Sequence, residues 1–93
     1  MDLSKIKPEQ YKFITDYYLD MDTQKYSIED LEFIVKNFKG VSLKRIVQTQ
    51  ELTKDFCVNF ILNDDYQFLD YDDGISKQYI FEHQKHLIPE WNN

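Results

Sequence analysis

Glycine is nearly missing from this chain: Gly40 and Gly74 are the only two, far apart in the sequence. Every phosphate-cradling loop built on closely spaced glycines is thereby absent, which excludes Walker A and Rossmann nucleotide chemistry in their usual forms. Cysteine is scarcer still. Cys57 stands alone in 93 residues, whereas a secreted domain of this length usually carries an even set of cysteines as staples. A small buried hydrophobe in a cytosolic protein is the expectation.

No run of 18 apolar residues occurs, and the opening Met-Asp-Leu-Ser-Lys lacks the basic-then-apolar layout of a secretion signal, so no membrane segment is expected. Arginine appears once. Arg45, with Lys44 and the nearby Lys54, forms the one basic cluster, too small to neutralise many phosphates, so direct nucleic-acid binding is disfavoured. Alanine is absent while Asn, Ile, Lys, Phe and Tyr abound, the bias that an AT-rich bacterial or mobile-element gene would produce.

What is present suffices for one core. Of the residues, 42% are hydrophobic, with seven Phe, seven Tyr and one Trp; residues 1–93 make a single small globular domain. Lys7-Pro8-Glu9 opens a helix over residues 8–22, with Tyr11, Ile14, Tyr17, Tyr18 and Met21 at helical spacing and Phe13 and Leu19 outside that stripe. A second helix begins at the Ser27 cap, with Tyr26 placed to staple onto Leu31. It carries Ile28, Leu31, Ile34, Val35 and Phe38 on one stripe and ends where Gly40 can supply a left-handed cap.

Beyond Val41 the pattern changes. Phe56, Val58, Phe60 and Leu62 alternate with Cys57, Asn59 and Ile61, as on a strand. Asn63-Asp64-Asp65 reads as a turn, residues 66–71 as a further strand, and Asp73-Gly74 as a hairpin turn. With a first strand over residues 44–50 and a last over 75–83, the expected fold is α+β: two N-terminal helices packed on a three- or four-stranded antiparallel meander. The last element also fits a helical face through Ile75, Tyr79, His83 and Leu87. A rival all-α bundle places Leu52, Phe56, Phe60 and Ile61 on a third helix and the tail on a fourth. Pro89 is expected to end any tail helix, and Trp91 to fold back as an anchor.

The net charge of −6 is unevenly spread. Six lysines face eight acids in residues 1–40, and residues 41–62 are slightly basic. Residues 63–93 carry seven acids against Lys77 and Lys85. Five of those acids, Asp64, Asp65, Asp70, Asp72 and Asp73, fall within ten positions. Turn chemistry and protected sheet edges are one explanation; an acidic surface for a basic partner is the other. On the expected meander the two groups of aspartates stand roughly 17 Å apart, too far for one compact metal site.

Catalytic signals are weak. Asp70-Tyr-Asp72-Asp73-Gly74 places Leu69, Tyr71 and Ile80 at the first, third and twelfth positions of a calcium loop, so that motif fails. His83 and His86 have no second ligand pair at zinc spacing, and nothing places Cys57 beside either. No enzyme activity, metal or cofactor is expected. The reading that follows is a small acidic inhibitor, of the physical class of immunity proteins, antitoxins and phage counter-defence proteins. It would cover the basic surface of a nucleic-acid-processing enzyme or toxin with Asp64, Asp65, Asp70, Asp72 and Asp73, and with Tyr66 and Tyr71 as anchors. The alternative is a structural or regulatory adaptor, with a homodimer as one form, binding through Phe13, Tyr17 and Leu19 of the first helix.

Overall fold

Four hydroxyl side chains start four of the helices. Ser27, Ser42, Thr53 and Ser76 each accept a hydrogen bond from the backbone N–H three residues on, at 3.1 to 3.2 Å, satisfying a donor that the helix leaves orphaned. The computed structural model describes residues 6–67 and 74–91, without the side chains of Asp16, Tyr17 and Asp64. A 3-10 helix over Pro8–Phe13 leads into α1 (Asp16–Leu19), α2 (Ile28–Asn37), α3 (Leu43–Thr49) and α4 (Lys54–Phe56). The chain from α4 continues as a π-helical turn over Cys57–Ile61, closed by Leu62 N–H donating to the Cys57 carbonyl at 2.9 Å. A 3-10 turn over Asp64–Tyr66, then α5 (Lys77–His83), a 3-10 turn over Lys85–Leu87 and α6 (Ile88–Trp91) complete the order.

The α+β expectation is therefore wrong, and the chain is all-α among the described residues. Their one ladder contact is an isolated parallel bridge between Thr15 and Gly40. Residues 44–50 fall in α3, because Leu43, Ile46 and Val47 recur at i, i+3 and i+4 and bury one helical face. The supposed strand over residues 56–62 is α4 and the π turn. Phe56 and Phe60 are buried on one side with Cys57 and Ile61, while Val58, which a strand would put beside them, is 47% exposed. Asp64–Tyr66 is a 3-10 turn rather than the start of a strand, and Ser76 caps α5 where the last strand was expected. The hairpin at Asp73-Gly74 falls largely outside the described residues; Gly74 itself takes φ +79.

The N-terminal helix is also interrupted. Ile14 is extended, with φ −75 and ψ 131, so the Pro8–Phe13 helix and α1 are separate. The break lets the chain lie against Gly40. A Cβ on Gly40 would sit 2.6 Å from the Ile14 carbonyl oxygen, so this glycine serves close backbone approach and not the left-handed cap expected of it. α2 ends instead at an extended Phe38, whose N–H donates to the Ile34 carbonyl at 2.8 Å. Pro89 lies in the first turn of α6, where its missing N–H costs little, and does not end a helix there.

The core gathers residues from α1 to α5, the links between them and the Lys85–Leu87 turn: Ile14, Leu19, Met21, Leu31, Ile34, Phe38, Ile46, Leu52, Phe56, Ile61, Ile80 and Leu87 are all buried. Two amides are buried with them. Gln50 Oε1 accepts from Tyr26 N–H at 2.9 Å, and its Nε2 donates to the Gln24 and Met21 carbonyls at 2.9 and 3.2 Å. Gln84 Oε1 accepts from Leu52 N–H at 3.0 Å, and its Nε2 donates to the Val47 and Gln50 carbonyls at 2.7 and 2.6 Å. Short helices leave many backbone groups without intrahelical partners, and these two side chains serve them across long sequence separations.

Candidate interaction surface

The N-terminal segment is pinned from one side. Tyr11 packs its ring against Phe33 and Phe38 at centroid distances of 5.5 and 5.1 Å, Ile14 is buried, and the Thr15–Gly40 bridge holds the next residue. Phe13, between two inward positions, is 71% exposed, with the Lys12 ammonium 5.1 Å from its ring centroid. On α1 the arrangement repeats: Leu19 is fully buried and Tyr18 is 52% exposed. Asp20, at φ 54, ends α1 in the left-handed region that Asp tolerates, and the Tyr26 hydroxyl donates to the Leu19 carbonyl. Burial raises the Tyr26 phenol above its ordinary range, and the carboxylates of Asp20 and Asp30 add to the shift.

Of the adaptor residues expected from sequence, Phe13 is thus presented to solvent, and Leu19 is withdrawn into the core. Tyr18, beside it, takes the outward place. Tyr17's side chain lies outside the described residues.

The acidic segment gives less. Asp65 is exposed, its N–H donating to Asn63 Oδ1 at 3.0 Å. Tyr66 is half-buried with its ring 5.3 Å from that of Phe60, a core-edge residue. Asp70, Tyr71, Asp72 and Asp73, and the side chain of Asp64, lie outside the described residues. The strand that was to separate the two aspartate groups begins as a 3-10 turn, so the 17 Å spacing loses its basis.

Nucleophile and metal chemistry find no constellation among the described residues. Cys57 is fully buried, and burial pushes its thiol up to about 12, leaving it protonated and unreactive at neutral pH. His83 packs its ring at a tilt against Tyr79, the centroids 4.8 Å apart. His86 Nε2 lies 2.9 Å from the Leu52 carbonyl; since a carbonyl only accepts, that nitrogen carries the proton. No group of three or more His, Cys, Asp or Glu side chains among the described residues converges as metal ligands would.

A surface hollow of about 750 Å3 opens between the start of α2, the α3–α4 link and the C-terminal turns. Tyr26, Ile28, Leu52 and Leu87 supply its apolar lining, and Lys25, Glu51, His86 and Glu90 its charged and polar groups. The Lys25 ammonium donates to the Thr49 carbonyl at the C-terminal end of α3. Sequence reasoning missed this hollow and the glutamines behind it. Gln50 continues the Leu43, Ile46 and Val47 spacing of α3 one turn further, and that was the available signal.

The chain matches no protein-family model, no curated protein and no solved structure. No helix among the described residues is long and apolar enough to cross a membrane. The functional reading therefore rests on surface chemistry.

Proposed function

We propose that this protein is a non-enzymatic adaptor that docks on other proteins through the outward face of its N-terminal segment, with Phe13 and Tyr18 as the contact residues. The supporting observation is that Phe13, 71% exposed, sits on a segment packed from behind through Tyr11 and Ile14. An aromatic side chain has few rotatable bonds and loses little entropy on binding, which is why aromatic residues recur as interface anchors. A second copy of the chain is the first partner to test.

Light scattering on the native chain and on Phe13→Asp provides that test. A dimer that dissociates in the variant while its circular dichroism is retained supports the adaptor. A second reading, inhibition of a basic nucleic-acid enzyme or toxin by the acidic segment, draws support from the seven acids against two lysines in residues 63–93 and the exposure of Asp65. Its mark is a partner captured at about 50 mM salt, weakened at about 300 mM, and indifferent to Phe13→Asp.

A further inference from the structure

Residues 50–53 link α3 to α4, and their backbone behaves as a strand whose partner on one edge is made of side chains. Gln50 and Thr53 are extended, with φ −112, ψ 149 and φ −106, ψ 162. The Gln50 carbonyl takes the Gln84 amide N–H at 2.6 Å. Leu52 N–H gives to Gln84 Oε1 at 3.0 Å, and the Leu52 carbonyl takes His86 Nε2–H at 2.9 Å. In an extended chain those three groups share one edge, and the N–H and C=O of the intervening residue point to the other. By that alternation the Glu51 N–H and C=O and the Thr53 N–H fall on the opposite edge. No described residue hydrogen-bonds to any of the three, and Glu51 and Thr53 are both exposed.

Residues 51, 52 and 53 also line the hollow described above. Its walls offer half-buried apolar surface from Tyr26 and Ile28 and the exposed carboxylates of Glu51 and Glu90, while the Lys25 ammonium is engaged by the Thr49 carbonyl. We infer that the open edge of residues 50–53, with this hollow, docks an extended segment of a partner polypeptide carrying an apolar side chain and a lysine or arginine. Backbone pairing supplies the attachment, the hollow takes alternate side chains, and the two carboxylates select the basic residue. The edge is held ready by Gln84 and His86, so binding does not have to order it. The inference is independent of the Phe13 surface.

The test is selection from a phage-displayed random peptide library with the full chain as bait, followed by titration of the enriched peptides as synthetic probes. The expected peptides alternate apolar and basic residues and shift the amide resonances of Glu51 and Thr53. N-methylation at every second peptide amide abolishes their binding, and Glu51→Gln with Glu90→Gln weakens it about tenfold. Glu51→Pro removes one edge N–H and is compatible with the extended Gln50 before it; the peptide N-methyl series reads the same contact without altering the protein. Enrichment no better than on Glu51→Pro, binders indifferent to N-methylation, or shifts centred on Phe13 would each overturn the proposal. Concentration-dependent shifts at Glu51 without peptide would overturn it too, naming a second copy of the chain as the occupant.

Discussion

The side-chain amide nitrogen of Gln84 donates to the backbone carbonyl of Gln50 at 2.6 Å, so the C-terminal cap of α5 is tied directly to the C-terminal cap of α3. The same nitrogen reaches the Val47 carbonyl, and the amide oxygen takes Leu52 N–H. Among the described residues no buried side-chain polar atom is left without a partner, which is how a core of short helices tolerates two glutamines.

Gln84→Ala should therefore be costly: it strands a buried N–H and two carbonyls and leaves a cavity. A loss of about 2 to 4 kcal/mol is expected in urea denaturation. Gln84→Glu carries a sharper signature. A carboxylate facing the Val47 and Gln50 carbonyls is destabilised in its charged form, so the variant's folded-state pKa lies above the ordinary ~4.3 for Glu. The stability it loses at pH 7 should return as pH falls toward 5, because the native state then binds the extra proton. A variant whose deficit is the same at both pH values contradicts this arrangement.

The two glycines separate two causes of intolerance. Gly40→Ala places a methyl against backbone at 2.6 Å from the Ile14 oxygen and should displace the N-terminal segment, costing about 1 to 3 kcal/mol. Gly74→Ala meets nothing within 4 Å but must hold φ +79, a conformational penalty of about 1 to 2 kcal/mol. Thermal melts rank them; hydrogen exchange near Thr15 should rise in the first and not in the second.

Leu19 and Phe13 should behave oppositely. Leu19→Ala empties a fully buried site and should cost about 2 to 5 kcal/mol. Phe13→Asp, at a mostly exposed position, should stay within about 0.5 kcal/mol of the native chain. A large stability loss in Phe13→Asp would mean the ring is part of the core and not a contact.

Cys57 predicts an alkaline limit. Its thiol is raised from 9.0 to about 12 in the folded chain, so above pH 9 the unfolded state loses a proton that the native state keeps. Its contribution is complete below about pH 9 and is lost as pH rises through 12, with a slope approaching 1.4 kcal/mol per unit. Tyr26, raised in the same sense by burial, adds to the effect at higher pH. Cys57→Val should flatten the dependence between pH 9 and 12 in denaturant titrations. Thiol labelling of the native chain should proceed only at the rate of unfolding.

The start of α2 was legible from residues 27–31 alone, because a serine cap followed by an apolar stripe at helical spacing is a local pattern. Three further caps of the same kind, at Ser42, Thr53 and Ser76, start α3, α4 and α5; the α+β expectation did not use them and followed the alternation around residues 56–62. That alternation is ambiguous for a physical reason: Phe56 and Phe60, four apart, share a face on a strand and on a helix alike, and only the exposure of Val58 between them separates the two.

The absence of glycine-rich nucleotide loops, the concentration of acid after residue 62 and the Ser27 cap follow from the chain itself, since each depends on composition or on neighbours within one helical turn. The break at Ile14, the close approach at Gly40, the outward turn of Phe13, the withdrawal of Leu19 and the clasp of Gln84 on residues 47, 50 and 52 belong to the tertiary structure. The approach at Gly40, the burial of Leu19 and the Gln84 clasp join groups distant along the chain, where packing and backbone hydrogen bonding outweigh local preference.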